Sequence, residues 1–330
     1  MPAIFDALPG LEVPMRSVLS ELAALWEMGG PGGKSAPSEY RASQMTFVLH
    51  FGVDHTPETG RQTFDAVLRF SQRYPCRIVA LCPRMTEGGD DTLSAKVFGE
   101  CFIGSSRQEM SCCEAIIVGY PESQRGFLEN QVTTLIENDL PLYYWPSRIH
   151  SASKLGDYGF FLKHAKRIVI DSAIENSSVT DFEWPEGGTV RDLAAARLLQ
   201  IRQSVGQFLS SFPPSVLVDG LQSVEVAADG SCEAEARLLS SWVKARIEAC
   251  RRLSSSVSPP PEVTLTTSRL ECESMAMRWA YAGDRRFYWT VCLETGRARL
   301  EADLGAGEVV LNSVVRLLST SEALGDALFF

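Results

Sequence analysis

From Met45 onward, short uninterrupted apolar runs alternate with stretches in which apolar residues return every third or fourth position. MTFVLHF predicts a strand; Thr56-Pro57 then supplies a helix N-cap and a first-turn proline, and Phe64, Val67, Leu68 and Ser71 share one face of a helix running to about Tyr74. CRIVALC, bounded by prolines, predicts a second buried strand, which completes a β-α-β unit. AKVFGECFI and MSCCEAIIVG, joined by the turn-rich GSSRQ, read as a hairpin-like excursion. Helical spacing returns from Pro121 to Asn138 through Leu128, Val132, Leu135 and Ile136. LPLYYW is a further strand, Tyr158 to Ala165 a short helix, and RIVID another strand. Strands alternating with helices at this spacing predict a mainly parallel, Rossmann-like α/β sheet with helices on both faces.

The flanks read differently. VPMRSVLSELAALWEM, with Val18, Leu22, Leu25 and Trp26 in phase, predicts an N-terminal helix that ends in the flexible linker GGPGGKSAPSE. After Asp171 the chain loosens through SAIENSSVTDFEWPEGG. A long helix is expected from about Thr189 to Phe212, with Val190, Ala194, Leu198, Ile201, Val205, Phe208 and Phe212 on one stripe, and a second from about Cys232 to Leu253. EVTLTTSRL, SMAMRWAYA and FYWTVCLET then predict an antiparallel sheet, closed by a helix from about Gly307 to Leu318. The expected organisation is therefore 1–40, N-terminal helix and linker; 41–180, Rossmann-like α/β domain; and 181–330, α+β C-terminal domain with two long helices and an antiparallel sheet.

Composition narrows the function classes. Across 330 residues, 45% hydrophobic and 22% charged residues describe a folded globular chain. A net charge of -10 argues against nucleic acid or an anionic membrane as partner. No apolar run approaches the roughly 18 to 20 residues of a membrane span, and the N-terminus lacks a basic signal-peptide region, so a cytoplasmic location is expected.

Catalytic signatures are sparse. Gly33-Lys34-Ser35 resembles the end of a phosphate-binding loop, but Met28 occupies the position of its first glycine and a helix, not a strand, precedes it. There is no G-x-G-x-x-G after the first strand and no G-x-S-x-G, so neither a bound cofactor nor a serine nucleophile is expected. Glu271 and Glu273 sit at strand spacing and read as a solvated face rather than an acid/base pair. The nine cysteines include no C-x-x-C and the four histidines have no zinc-binding spacing, so most cysteines should be reduced thiols. Cys112 and Cys113, adjacent in a strand, point to opposite faces, one inward and one outward.

Taken in order, ELAALW, MTFVLHF, RIVALCPR, MSCCEAIIVG, LPLYYWP, RIVIDS and TVRDLAAARLLQIR resemble the glucose-6-phosphate dehydrogenase assembly protein family, OpcA, most strongly between Met45 and Arg202. The resemblance implies a non-catalytic factor that binds glucose-6-phosphate dehydrogenase, promotes its active oligomer and activates it allosterically in the oxidative pentose phosphate pathway. The family-like positions include Cys82, Pro83 and Arg84, Cys112 to Glu114, Trp145 and Pro146, Asp171 and Ser172, and Asp192, Leu193 and Arg197; Tyr144 stands where the family form has a second Trp. Several fall at strand carboxyl ends, where open α/β sheets gather their functional crevice. Arg84, Tyr144, Trp145, Pro146, Asp171, Ser172, Asp192 and Arg197 are accordingly candidate partner-binding residues, against the alternative that Trp145 packs and Arg84 caps a loop. The resemblance also implies redox control through thiols, for which Cys82, Cys112 and Cys113 are the candidates. The alternative function is a sensor or enzyme that binds a sugar phosphate or nucleotide in the strand-end crevice.

Overall fold

A computed structural model of the chain describes residues 3–27, 43–84, 92–103, 110–136, 139–184, 189–255, 259–267 and 273–330. The predicted linker with Gly33-Lys34-Ser35, the GSSRQ turn and Glu271 lie outside the described residues. The chain divides into two compact units, Met1–Leu193 together with Thr320–Phe330, and Ala194–Ser319.

In the first unit the chain runs through α1 (Ile4–Ala7), β1 (Leu11–Val13), α2 (Val18–Glu27), β2 (Thr46–Phe51), α3 (Pro57–Arg73), β3 (Arg77–Arg84), β4 (Ser94–Ile103) and β5 (Met110–Pro121). It continues through α4 (Leu128–Leu135), β6 (Leu142–Ser147), α5 (Ala152–Gly156), α6 (Gly159–His164), β7 (Arg167–Ile170), α7 (Ser177–Thr180) and β8 (Thr189–Asp192). The sheet order is β1-β4-β5-β3-β2-β6-β7-β8. From β5 to β8 every pairing is parallel, whereas β4 pairs antiparallel with β5, and β1 with β4. The parallel strands β2, β3 and β5 step outward in one direction and β6, β7 and β8 in the other, the doubly wound order of a Rossmann-like sheet.

Parallel strands with both faces covered need apolar side chains throughout, and every residue of β2 and β6 is buried. The α3 boundary follows the predicted chemistry: Thr56 accepts from the Thr59 amide, and Pro57 fills the first turn, where its missing N–H leaves no helical bond unmade. The N-terminal segment, not anticipated as part of this sheet, is tied to it by Lys96, whose ammonium donates to the carbonyls of Phe5 (2.9 Å) and Leu8 (3.2 Å) at the end of α1.

The second unit contains most of α8 (Leu193–Arg197), then α9 (Leu199–Leu209), α10 (Pro214–Val218), β9 (Leu221–Ala228), α11 (Glu233–Ser254), β10 (Glu262–Thr267), β11 (Met275–Tyr281), β12 (Arg286–Cys292), β13 (Arg297–Asp303) and β14 (Glu308–Val314). Its order, β10-β9-β11-β12-β13-β14, is antiparallel except for β9 and β10, which run parallel across the α11 crossover. Val224, Val226, Met277, Trp289 and Leu300 meet α9 and α11 in its core.

Three expectations are corrected. Thr189–Asp192 is not helical: it pairs with β7 from Arg167↔Thr189 to Ile170↔Asp192, so the expected long helix is an edge strand followed by α8 and α9. The stretch after Gly307 is the β-branched strand β14, and the final helix, α12 (Thr320–Phe329), comes later and packs in the first unit. Strand β9, absent from the sequence reading, makes the C-terminal sheet mixed at one edge.

Candidate functional site

The parallel strand order changes direction between β2 and β6, and ligands of open α/β sheets collect beyond the strand carboxyl ends at such a point. Here the two chain turns approach closely. A side chain on Gly52, just after β2, would put its Cβ 1.8 Å from the Arg148 carbonyl oxygen, so only glycine lets the backbones pass. Arg148, just after β6, has φ 53°, and its amide donates to the Glu175 carboxylate at 2.7 Å. Beyond these turns lies a crevice of about 310 Å³ lined by the ends of β2, β3 and β5, the loop after β6, and α5 with its following turn.

A buried polar chain forms its floor. His50, the fifth residue of β2, is wholly buried; its Nδ1 lies 2.9 Å from the Tyr144 hydroxyl and its Nε2 2.7 Å from that of Tyr120. The Tyr120 hydroxyl is in turn 3.2 Å from that of Tyr158, which is half-buried at the crevice wall. Burial pushes the His50 pKa down to about 3, so near pH 7 the ring is neutral, with one donor and one acceptor. Burial also raises the Tyr120 and Tyr144 hydroxyls, which stay protonated. On the opposite face of the sheet, His55 bridges Ser147 Oγ (2.9 Å) and Thr59 Oγ1 (3.1 Å), and burial lowers its pKa to about 4.

The rim is charged. Arg84 closes β3 and donates from one guanidinium nitrogen to the Thr92 carbonyl at 2.7 Å, while its buried Nε finds no partner among the described residues. Lys154 pairs with Glu122, which Arg125 also approaches at 3.4 Å. Lys154 holds the Glu122 carboxyl below its ordinary pKa. His150 meets Asp54 at 3.1 Å. Among the described residues no group of three or more His, Cys, Asp or Glu side chains is placed to hold a metal ion.

Of the candidate partner-binding residues, only Arg84 reaches this crevice. Tyr144, Trp145 and Pro146 are buried in β6, so Trp145, at 1% exposure, is a packing residue rather than a surface anchor. Asp171 is buried; the Ser172 amide donates to Asp192 at 3.2 Å, and Arg197 pairs at 3.1 Å with the buried Glu235. Internal structure already engages these groups.

The thiol expectation also changes. Cys112 is not free: it pairs with Cys101, directly opposite it in the β4–β5 register, in a disulfide. Neither it nor Cys113 faces outward, since both are buried. Burial drives the Cys82 pKa upward and that of Cys113 to about 11, so neither supplies thiolate near neutral pH. Sequence reasoning missed His50, Tyr120, Tyr158, His150 and Lys154. A usable signal existed for His50: it is the one ionisable residue in the apolar run MTFVLHF, close to its carboxyl end.

Residues 68–184 match the family described as the glucose-6-phosphate dehydrogenase subunit N-terminal domain, OpcA. This is the family that the segment order resembles. The OpcA match spans roughly a third of the chain, from within α3 to the segment beyond α7, and so includes Arg84, Tyr120, Lys154 and Tyr158 but not His50. No curated protein matches the chain. Among solved structures, an aldose-aldose oxidoreductase from Caulobacter crescentus complexed with glycerol is similar at 8% identity and TM-score 0.41, over 86% of this chain and 87% of that one. So low a score carries no functional argument. Among the described residues, no helix is long and apolar enough to cross a membrane.

Proposed function

We propose that this protein is a non-catalytic assembly factor for a glucose-6-phosphate dehydrogenase, promoting its active oligomer and activating it allosterically in the oxidative pentose phosphate pathway. The match of residues 68–184 to the OpcA family carries this reading.

A surface feature in the second unit supports it. Strand β14 is a sheet edge, and Val309, Val310, Leu311 and Val314 on it are 45%, 45%, 44% and 85% exposed. Edge strands offer unpaired backbone groups and are normally blunted by charge or cover. An apolar exposed edge instead suits a protein partner that adds a strand or lays an apolar face across it. We assign the dehydrogenase to this edge.

The test measures the activity of the same organism's dehydrogenase across substrate concentrations, with and without the full chain, alongside the size of the complex. A lower KM or a higher rate together with a larger complex is expected. An unchanged enzyme and no complex would refute the assembly reading.

A further inference from the structure

The hydrogen-bond chain beneath the crevice has a direction. Neutral His50 and the hydroxyls of Tyr120, Tyr144 and Tyr158 together carry one more hydrogen than their mutual contacts can use. Tyr144 is fully buried, with His50 as its polar partner, so its hydrogen must point to Nδ1 or be lost to an apolar surrounding. A buried hydroxyl donor left unsatisfied pays its full desolvation penalty, which selects the first arrangement. His50 then carries its proton on Nε2 and donates to Tyr120, and Tyr120 donates to Tyr158. The spare hydrogen is the one on Tyr158, the member of the chain least buried and set in the crevice wall.

The Tyr158 hydroxyl therefore meets a ligand as a donor. Arg84, which lines the same crevice, has a buried Nε that finds no acceptor and has no carboxylate partner among the described residues. Lys154, ion-paired with Glu122, adds a further donor, whereas Glu122 and the His150–Asp54 pair can accept from hydroxyl groups. Phe51, Pro83, Ile149 and the Tyr120 ring supply apolar walls. At about 310 Å³ the space lies at the small end of the roughly 300–1,000 Å³ of ligand sites, enough for one ring-sized body.

We propose that this crevice binds a small anionic polyol, a sugar phosphate or sugar acid, with its acidic oxygens held by the Tyr158 hydroxyl and the Arg84 guanidinium and its hydroxyls facing Glu122 and His150. The proposal goes beyond the assembly reading and does not depend on it, because every group involved belongs to this chain's first unit.

Calorimetric titration of the full chain with glucose 6-phosphate, gluconate, glucose and inorganic phosphate tests it. Saturable binding of glucose 6-phosphate or gluconate is expected, at least tenfold tighter than glucose or inorganic phosphate; the stronger of the two anions identifies the acidic group. Tyr158→Phe and, separately, Arg84→Lys should each weaken that binding about tenfold while leaving the thermal midpoint within a degree or two. Failure of both anionic sugars to bind at millimolar concentration would overturn the proposal. So would equal binding of inorganic phosphate, or affinity unchanged in Tyr158→Phe.

Discussion

The two sheets solve opposite problems. In the first unit the parallel strands are covered on both faces, so β2 and β6 are buried along their whole length and polar function is confined to the strand ends. In the second, Arg278, Arg299 and Glu301 alternate with buried Met277, Trp279, Leu300 and Ala302, and β14 remains open at the edge. The first architecture creates an inward crevice floored by hydrogen-bonded aromatics. The second leaves an outward apolar strip. The proposed small ligand belongs to the former and the proposed protein partner to the latter.

The largest effects should come from damaging one core at a time. Trp145→Ala and Trp289→Ala each remove a fully buried indole and should each cost about 3–5 kcal/mol. In urea unfolding followed by circular dichroism, each substitution should lower the midpoint of its own unit's transition. If both shift one common transition equally, the units do not unfold independently.

Breaking the Cys101–Cys112 bond comes next, as it closes a loop between residues 11 apart at the β4–β5 hairpin. The double substitution Cys101→Ala/Cys112→Ala should destabilise the first unit by about 2–3 kcal/mol through greater freedom of the unfolded chain. Unchanged urea stability, or a loss confined to the second unit, would contradict this assignment.

A third substitution addresses the edge. Leu311→Asp should weaken dehydrogenase binding about tenfold, roughly 1.4 kcal/mol, while changing folding stability by less than about 0.5 kcal/mol, because the side chain is 44% exposed. Full affinity in the folded variant would remove β14 from the interface.

A pH dependence tests the first unit separately. Burial raises the Glu175 pKa from 4.5 to about 7, so between these values the folded state holds a proton that the unfolded chain has released. This contribution to stability is complete below pH 4.5 and is lost as pH rises through 7. His50 and His55 act in the other direction: their pKa values fall from 6.5 to about 3 and about 4, so their contribution is present above 6.5 and lost on acidification. Glu175→Gln should leave only the histidine trend, and its stability relative to the parent should grow between pH 4.5 and 7, by at most about 1.4 kcal/mol per pH unit. A constant difference in urea midpoint across that range would show that Glu175 does not titrate there.

Much of the fold was legible because its signals are local. The Thr56-Pro57 cap, the apolar runs of β2, β3 and β7 and the spacing of α3 each specify their element within a few residues. Where a segment's state depended on a distant partner, the reading failed. Val190 continues the apolar stripe of α8 and α9, yet the β7 edge takes Thr189–Asp192 as a strand. Glu308–Val314 reads as part of a helix until β13 supplies its ladder of hydrogen bonds. Cys101 and Cys112 lie 11 residues apart in sequence, and only the β4–β5 register places them face to face.

The site divides in the same way. Arg84 at the end of an apolar run could be singled out from the sequence, because charge at a strand's carboxyl end is a local pattern. Trp145 carried the same local pattern, but its burial was decided by the layers packed over β6. A mainly parallel, Rossmann-like sheet with helices on its faces is written into the local pattern of this chain, since periodicity and caps act between near neighbours. The chain of His50, Tyr120, Tyr144 and Tyr158 is a product of folding alone, because these residues from β2, β5, β6 and the turn before α6 meet only when the strands are assembled side by side.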